Sequence, residues 1–210
     1  MRRHELEHLI RAMGAITNEY EFVVVGSQSI LGACPNAPAE LLMSVEADVY
    51  PLKNPAMSDL IDGSIGEGSP FNQHYGYYAH GVGPETAILP AGWQGRLVRV
   101  QNENTNLKVG LCLEPHDLAA SKLAAGREKD FEFVEEMLRH KLVKPTTLME
   151  RVDGLSMPPE RIQAMKAWVV ARIERLASPE CDDRQQALQA ATSTVFRTAR
   201  RVRGKEDLER

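Results

Sequence analysis

A short apolar run near the N-terminus, residues 22–25 (FVVV), stops at Gly26. Such a run without polar alternation is typical of a strand buried on both faces. The serine that follows, Ser27, favours a tight turn into a short helix over residues 27–31, because a small polar side chain can cap free backbone amides. Before the run, apolar residues at spacings of three and four predict an amphipathic helix over residues 4–20. Helix, buried strand, tight turn and helix in this order require a fold that combines helices with a sheet.

The rest of the chain carries separate strand and helix signals. We expect a loop at residues 34–40 and a loop-rich stretch at residues 51–80, in which residues 58–62 favour a helix. Strands are predicted over residues 41–50, 75–79, 83–89, 97–101 and 107–113, with a turn at 102–106. After Pro115, helices are predicted over residues 118–126, with Asp117 as the cap, and over 128–142, 146–152, 159–177 and 182–203. The expected fold is α+β (mixed α/β), with a mixed sheet of about five strands flanked by helices and a C-terminal helical layer or bundle.

This organisation predicts a first domain over residues 1–142 and a C-terminal helical region over residues 143–210. The 210 residues are 43% hydrophobic and 26% charged, a composition that supports a buried core. No apolar run approaches the roughly 20 residues needed to span a bilayer, and the charged N-terminus does not resemble a secretory signal. We therefore expect a cytoplasmic protein with no membrane partner.

Charge and cysteine content narrow the classes of function further. A net charge of −4 gives no general nucleic-acid signature, but the tail over residues 197–205 is basic and could be either a solvated end or a phosphate-binding arm. The three cysteines, Cys34, Cys112 and Cys181, lie far apart with no paired spacing, so we expect them to be reduced and structural.

Two acidic residues in the second predicted strand, Glu46 and Asp48, are spaced i and i+2. In a strand this spacing places both carboxylates on one face, while Val45, Ala47 and Val49 point to the other. Converging carboxylates are the ligands that hard divalent cations require. The pair therefore predicts a metal site.

The turn at Gly26 and Ser27 offers a complementary feature. Backbone amides after a tight glycine turn, together with a serine hydroxyl, are suitable donors for phosphate oxygens. Nucleotidyl transfer needs both a cradle of this kind and a divalent cation that neutralises a triphosphate. The two motifs lie about 20 residues apart, each at a strand end. Together they predict a site for a nucleotide and a divalent metal.

Three segments of the sequence carry a resemblance to a known family. They are residues 25–31 (VGSQSIL), residues 44–49 (SVEADV) and residues 113–130 (LEPHDLAASKLAAGREKD). They resemble the glycine-serine motif, the paired-acid strand and the lysine and arginine-x-lysine-aspartate segment of nucleotidyltransferase-like proteins of the polymerase-beta superfamily. The resemblance is closest to the small bacterial proteins associated with toxin-antitoxin and phage-defence modules. It extends over residues 22–134.

The resemblance implies a magnesium-dependent enzyme that transfers a nucleotidyl group from an NTP to RNA, a protein or a small acceptor. It implies that Glu46 and Asp48 bind Mg²⁺ and that Asp130 acts near the acceptor as a base or an orienting carboxylate. The residues that it implies for substrate binding are Gly26, Ser27, Lys122, Arg127 and Lys129. A toxin role, with a cognate antitoxin or other partner protein, is a further implication.

Two departures from the family pattern concern the metal. The first acid of the pair is Glu46, where Asp is commoner, and no third carboxylate stands out in a strand. Glu114, at the end of the last predicted strand, is the leading candidate for this third ligand, and Asp117 is the next. Without a third carboxylate, the alternative is a catalytically silent nucleotide-binding or regulatory, antitoxin-type protein on the same fold.

Several of these residues also have a structural interpretation. Lys122, Arg127, Lys129 and Asp130 could form a solvated helix face with an intrahelical ion pair. The histidines lack the pairwise spacing of a zinc site and are expected to be surface or hydrogen-bonded residues: His74, His80, His116 and His140. The tyrosines at 75, 77 and 78 could stack on a base or belong to a half-buried strand.

Overall fold

The computed structural model of the chain describes residues 1–177. The helix predicted over residues 182–203 and the basic tail therefore lie outside the described residues. By its internal contacts the chain divides into two units, of which the first is Met1–Val169. This first unit contains the five strands of the described part of the chain. The domain division predicted after Leu142 stays a prediction.

The described residues form eight helices and five strands. The helices are α1 (Arg3–Thr17), α2 (Ile30–Ala33), α3 (Ser58–Ile65), α4 (Pro70–Tyr75), α5 (Pro115–Ala125), α6 (Glu128–Arg139), α7 (Pro145–Asp153) and α8 (Pro159–Ala177). The strands are β1 (Glu21–Val24), β2 (Glu46–Pro51), β3 (Tyr78–Gly81), β4 (Val98–Val100) and β5 (Val109–Cys112). Among residues 1–177, no helix combines the length and the apolar character that crossing a membrane would require.

The five strands make one mixed sheet in the order β3-β2-β1-β5-β4. The central strand β1 pairs antiparallel with β2 and parallel with β5, while β3 runs parallel to β2 and β4 antiparallel to β5. The predicted α+β class and the five-stranded mixed sheet are confirmed. Because β1 is flanked on both sides, its residues 22–24 are buried, as the unbroken apolar run indicates.

The amphipathic stripe of α1 covers one face of this sheet. Its residues Leu6, Leu9, Ile10 and Met13 are fully buried. Gly110 in β5 allows the close approach, because a Cβ atom there would lie 2.5 Å from Ile10 Cδ1. The predicted helix over residues 4–20 thus forms, but it ends at Thr17, where Asn18 takes a left-handed conformation with φ of 56°.

Three local predictions are wrong. The stretch 51–80 is not loop-rich, since it contains α3, which runs through Gly63, and α4, which Ser69 caps by accepting a hydrogen bond from the Asn72 amide. No strand forms over residues 83–89, where Pro84 instead begins a short 3₁₀ turn.

The third concerns the start of α5. Its N-cap is Glu114 rather than Asp117, because Pro115 already occupies the first helical position.

Asp117 instead holds two elements together from inside the protein. Its side chain is 1% exposed and accepts hydrogen bonds from Arg96 Nε and Nη2 at 2.8 and 2.9 Å. Arg151 Nε of α7 lies 3.2 Å from Asp117 Oδ1. One buried carboxylate therefore joins α5 to α7 and to the segment before β4.

Replacing Asp117 by Ala is expected to lower the free energy of unfolding by roughly 2–3 kcal/mol, because two partly buried guanidinium groups lose their counter-ion. Denaturant unfolding of the purified protein measures this loss. The matched control is Asp153→Ala, which removes an exposed ion pair with Lys166 and should change stability by less than about 0.5 kcal/mol. Equal effects of the two substitutions would contradict the structural role of Asp117.

Candidate active site

The paired acids of β2 lie against the turn that follows β1. Glu46 and Asp48 leave the same face of β2, as the i, i+2 spacing predicts, while Ala47 is buried on the other. β1 pairs antiparallel with β2, and a Cβ atom at position 26, two residues after the end of β1, would lie only 1.9 Å from Asp48 Oδ2. Gly26 is therefore required for a steric reason, since any side chain there would displace the Asp48 carboxylate.

The parallel neighbour β3 adds two side chains to this face. In the strand register Glu46 lies opposite Tyr78, and Asp48 lies opposite His80. Tyr78 donates its hydroxyl hydrogen to Glu46 Oε2 at 3.1 Å. His80 Nδ1 lies 3.0 Å from Glu46 Oε1 and 3.1 Å from Asp48 Oδ1. One ligand atom from each of Glu46, Asp48 and His80 thus lies within 4.8 Å of the other two, which forms a potential metal site.

The electrostatics of this group indicate a deficit of positive charge. Burial and the neighbouring Glu46 carboxylate raise the pKa of Asp48 to about 6. Burial alone would raise the pKa of Glu46, but hydrogen bonding with Asp48, Tyr78 and His80 holds it below its ordinary value. The pKa of Tyr78 is raised to about 12 by burial and by Glu46, and burial of His80 is outweighed by the two carboxylates, which raise its pKa. Two oxygens and one nitrogen that need a positive charge between them fit a divalent cation.

Basic side chains come from the corner between α5 and α6. Gly126 ends α5 with φ of 71°, a left-handed conformation that favours glycine, and Arg127 caps α6 immediately afterwards. This tight corner brings Lys122 Nζ within 2.9 Å of Asp130 Oδ1 and Arg127 Nε within 2.6 Å of Asp130 Oδ2. The Lys122 ammonium also lies 4.6 Å from the centre of the Phe133 ring. The predicted lysine and arginine-x-lysine-aspartate segment is thus one connected ion-pair cluster.

Asp130 is the buried centre of that cluster. Its side chain is fully buried, whereas the Arg127 side chain is 64% exposed. Burial raises the pKa of Asp130, but Arg127 and Lys122 more than offset this and hold it below its ordinary value. Burial in turn lowers the pKa of Lys122. Asp130 therefore remains an ionised counter-ion whose two oxygens are both in use.

The acidic and the basic groups line the same cavity, which has a volume of about 830 Å³. Its walls include seven of the residues for which a site role is predicted: Ser27, Glu46, Asp48, Lys122, Arg127, Lys129 and Asp130. The volume lies within the range of known small-molecule sites. Segments that are about 100 residues apart in the sequence thus meet around one space.

Two other predicted residues are not part of this group. The Glu114 carboxylate accepts hydrogen bonds from the backbone amides of His116 and Asp117 at 3.0 and 3.4 Å, and it contacts His116 Nδ1 at 2.6 Å. It thus serves as a helix cap, and Asp117 binds the two arginines described above. Neither lines the cavity. The third position beside Glu46 and Asp48 is occupied by His80.

Sequence reasoning did not include His80 in the site. The prediction that His80 is a surface or hydrogen-bonded histidine agrees with the structure, but its contacts with Glu46 and Asp48 were not predicted. The available signal was the i, i+2 pair Tyr78 and His80, which repeats the spacing of Glu46 and Asp48 in an adjacent strand. Tyr75 and Tyr77 belong to a separate aromatic cluster with His8 and Phe71.

The close approach of Gly26 to Asp48 predicts the effect of adding one methyl group at position 26. Gly26→Ala should abolish any activity that depends on Asp48, because the new Cβ atom and Asp48 Oδ2 cannot occupy the same space. Activity and a thermal melt measured on the same preparation test this. Gly63→Ala is the control, since nothing lies within 4 Å of a Cβ atom at this position. Full activity of Gly26→Ala would contradict the described contact.

The raised pKa of Asp48 generates a prediction about stability and pH. Because the folded state keeps the Asp48 proton up to about pH 6 and the unfolded state loses it near 3.8, stability falls as the pH rises through this window. Asp48→Asn removes the ionisable group and therefore this loss of stability. In chelator, the variant should exceed the unsubstituted protein in stability by on the order of 2 kcal/mol near pH 7.5, and the gap should close by about pH 4.

Urea unfolding at several pH values measures the gap. Asp153→Asn, at an exposed carboxylate, should show no such pH-dependent gain. If the Asp48→Asn variant is less stable than the unsubstituted protein near neutral pH, ionisation of Asp48 does not lower the stability of the fold.

Comparison with known proteins agrees with this geometry. Residues 3–170 match the model of a family described as "Nucleotidyltransferase of unknown function (DUF6036)". This match covers most of the chain and includes every residue of the cavity described above. Curated proteins and solved structures give no match. The chain therefore belongs to this nucleotidyltransferase family.

Proposed function

We propose that the chain is a divalent-metal-dependent nucleotidyltransferase that moves a nucleotidyl group from an NTP to RNA, a protein or a small acceptor. The observation that carries the proposal is the meeting of two opposite sets of charges in one cavity. Glu46 and Asp48 form the acidic side, and Lys122 and Arg127 form the basic side. A triphosphate with a bound cation needs both kinds of contact.

The acidic side would hold the metal through Glu46 and Asp48, with His80 next to them. The donor set fits a divalent cation, and Mg²⁺ is the ion that the family resemblance implies. When bound, the cation would neutralise negative charge on the phosphates. Gly26 leaves room for Asp48 Oδ2, and Ser27 lines the cavity wall.

The basic side would bind the phosphates of the donor. Asp130 holds Lys122 Nζ and Arg127 Nε in fixed positions, so these cations do not have to be ordered when the substrate arrives. The exposed part of the Arg127 guanidinium and the exposed Lys129 are available to phosphate oxygens. Since both oxygens of Asp130 are engaged and its pKa is lowered, we assign it an orienting role rather than that of a general base.

Part of the remaining wall of the cavity is apolar. Leu41 and Met43, from a 3₁₀ turn at Ala39–Leu42 and the residue after it, line the space together with Phe133 of α6. Met43 is 80% exposed, so its side chain is accessible at the cavity wall. We assign this wall to the base of the nucleotide or to part of the acceptor.

A toxin role is the most specific form of the proposal. Proteins that this sequence resembles belong to toxin-antitoxin modules, so transfer to RNA and growth arrest on expression are the first effects to test. Growth arrest that requires Asp48 would support this role.

A second candidate is a catalytically silent nucleotide-binding or antitoxin-type protein. The observation in its favour is that neither Glu114 nor Asp117 supplies a third carboxylate to the pair. Nucleotide binding without transfer to any acceptor would support it.

The decisive experiment supplies each labelled NTP with Mg²⁺ or Mn²⁺ and a pool of RNA and protein acceptors. Glu46→Gln, Asp48→Asn and Lys122→Met should each reduce transfer by about 100-fold or more, because each removes a charge that faces the triphosphate. Asp153→Asn and Lys166→Met remove an exposed ion pair elsewhere and should leave transfer unchanged. Transfer that survives Glu46→Gln and Asp48→Asn would refute the proposed site.

A further inference from the structure

We propose that His80 is a direct ligand of the catalytic cation, and that it makes the site prefer a first-row transition ion such as Mn²⁺ over Mg²⁺. The inference rests on the proposed function and concerns the identity of its metal. It assigns to the third ligand position a nitrogen donor, where the family resemblance implies a carboxylate.

The first argument is the convergence of three donor atoms. His80 Nδ1 is nearly equidistant from Glu46 Oε1, at 3.0 Å, and from Asp48 Oδ1, at 3.1 Å. If His80 only formed a hydrogen bond with one carboxylate, Nδ1 would need to lie close to one oxygen and not to both. The ring nitrogen instead lies beside both oxygens, as a ligand of a shared cation would. All three donors lie within 4.8 Å of one another.

The second argument is that the other oxygen of Glu46 is held by a separate group. Tyr78 donates to Glu46 Oε2, which leaves Oε1 for the shared point. On Asp48, Oδ1 is the oxygen that contacts His80, while Oδ2 lies beside Gly26, where the lack of a side chain leaves room for it. Groups that fix the orientation of a ligand in this way are characteristic of metal sites.

The third argument concerns the backbone that carries His80. Parallel pairing between β2 and β3 sets Asp48 opposite His80 and Glu46 opposite Tyr78. Because side chains alternate along a strand, the pairing that delivers Tyr78 to Glu46 also delivers His80 to the same face. The position of the imidazole thus follows from the sheet and does not depend on a mobile loop.

The donor set decides which cation it favours. Mg²⁺ prefers carboxylate, carbonyl and water oxygens, whereas first-row transition ions, Mn²⁺ included, accept an imidazole nitrogen more readily than Mg²⁺ does. Two carboxylates and one imidazole therefore increase the affinity for a transition ion relative to that for Mg²⁺. The exposed imidazole, 48% accessible, lies in the cavity where a cation can reach it.

A competing explanation is that protonated His80 replaces the cation as a permanent counter-ion of Glu46 and Asp48. The two explanations predict opposite effects of removing the ring. If His80 is a ligand, its loss weakens cation binding. If it is a built-in positive charge, its loss strengthens cation binding.

The test measures binding of the metal alone to the full-length protein after removal of metals by a chelator. Titration followed by the electron paramagnetic resonance of free Mn²⁺ gives its affinity, and competition with Mg²⁺ gives the ratio of the two affinities. Electron spin-echo modulation of bound Mn²⁺ reports a coordinated imidazole nitrogen directly. The variants are His80→Ala and His80→Asp. The control is His140→Ala, which removes another histidine near a single carboxylate, that of Glu136.

We expect the unsubstituted protein and the His140→Ala control to bind Mn²⁺ with a nitrogen modulation. His80→Ala should lose the modulation and bind Mn²⁺ roughly 10-fold or more weakly. His80→Asp, which restores an oxygen donor, should lower the preference for Mn²⁺ over Mg²⁺ by about 10-fold. Thermal melts of all variants in chelator show whether each is folded.

Three results would overturn the inference: no nitrogen modulation in the unsubstituted protein, an unchanged affinity ratio in His80→Asp, or tighter Mn²⁺ binding by His80→Ala. Any of these together with Asp48-dependent transfer of labelled nucleotide would leave the proposed function intact and remove only the role of His80. Absence of both transfer and binding of either cation would count against the proposed function as well.

Discussion

Repulsion between the Glu46 and Asp48 carboxylates is the constraint around which the rest of the site is organised. The strand places both charges on one face, and burial prevents water from screening them fully. The raised pKa of Asp48 expresses the cost of burying its carboxylate and of placing it beside Glu46. Tyr78 and His80 reduce this cost by hydrogen bonding, and a bound cation would remove most of it. A fold that carries this pair is therefore less stable near neutral pH than it would be with neutral residues at these positions, which is a common property of functional sites.

The basic side of the cavity shows the complementary arrangement. Lys122 is only 11% exposed, and a buried ammonium requires a counter-ion. The charge of Asp48 already attracts both Lys122 and Arg127, which favours the protonated form of each. Without Asp130, the two cations would have Glu46 and Asp48 as anionic partners in the same cavity. Asp130 satisfies the two cations from the opposite side. It thereby keeps the basic side of the cavity from neutralising the acidic side.

Local sequence patterns revealed the parts of this site that are determined within a few residues. The buried run before Gly26, the i, i+2 acids and the segment from Lys122 to Asp130 each have a short-range physical cause, and the structure places all of them around one cavity. The errors arose where tertiary context decides. Helix α3 continues through Gly63 despite its low propensity. Glu114 caps the N-terminus of α5, so its carboxylate is already engaged. Its position near the end of a strand does not reveal this.

His80 shows why the third side chain of the cluster with Glu46 and Asp48 was not predicted. It lies 32 residues after Asp48, and α3 and α4 intervene before β3 returns to pair with β2. The sequence around His80 does not indicate which strand will pair with β3. A search for a third carboxylate also passes over a histidine. Among the described residues, the lack of a third carboxylate in the group with Glu46 and Asp48 is thus weak support for a silent protein. A parallel strand can complete a two-carboxylate site with any donor that its register places opposite, and in this chain the register places an imidazole there.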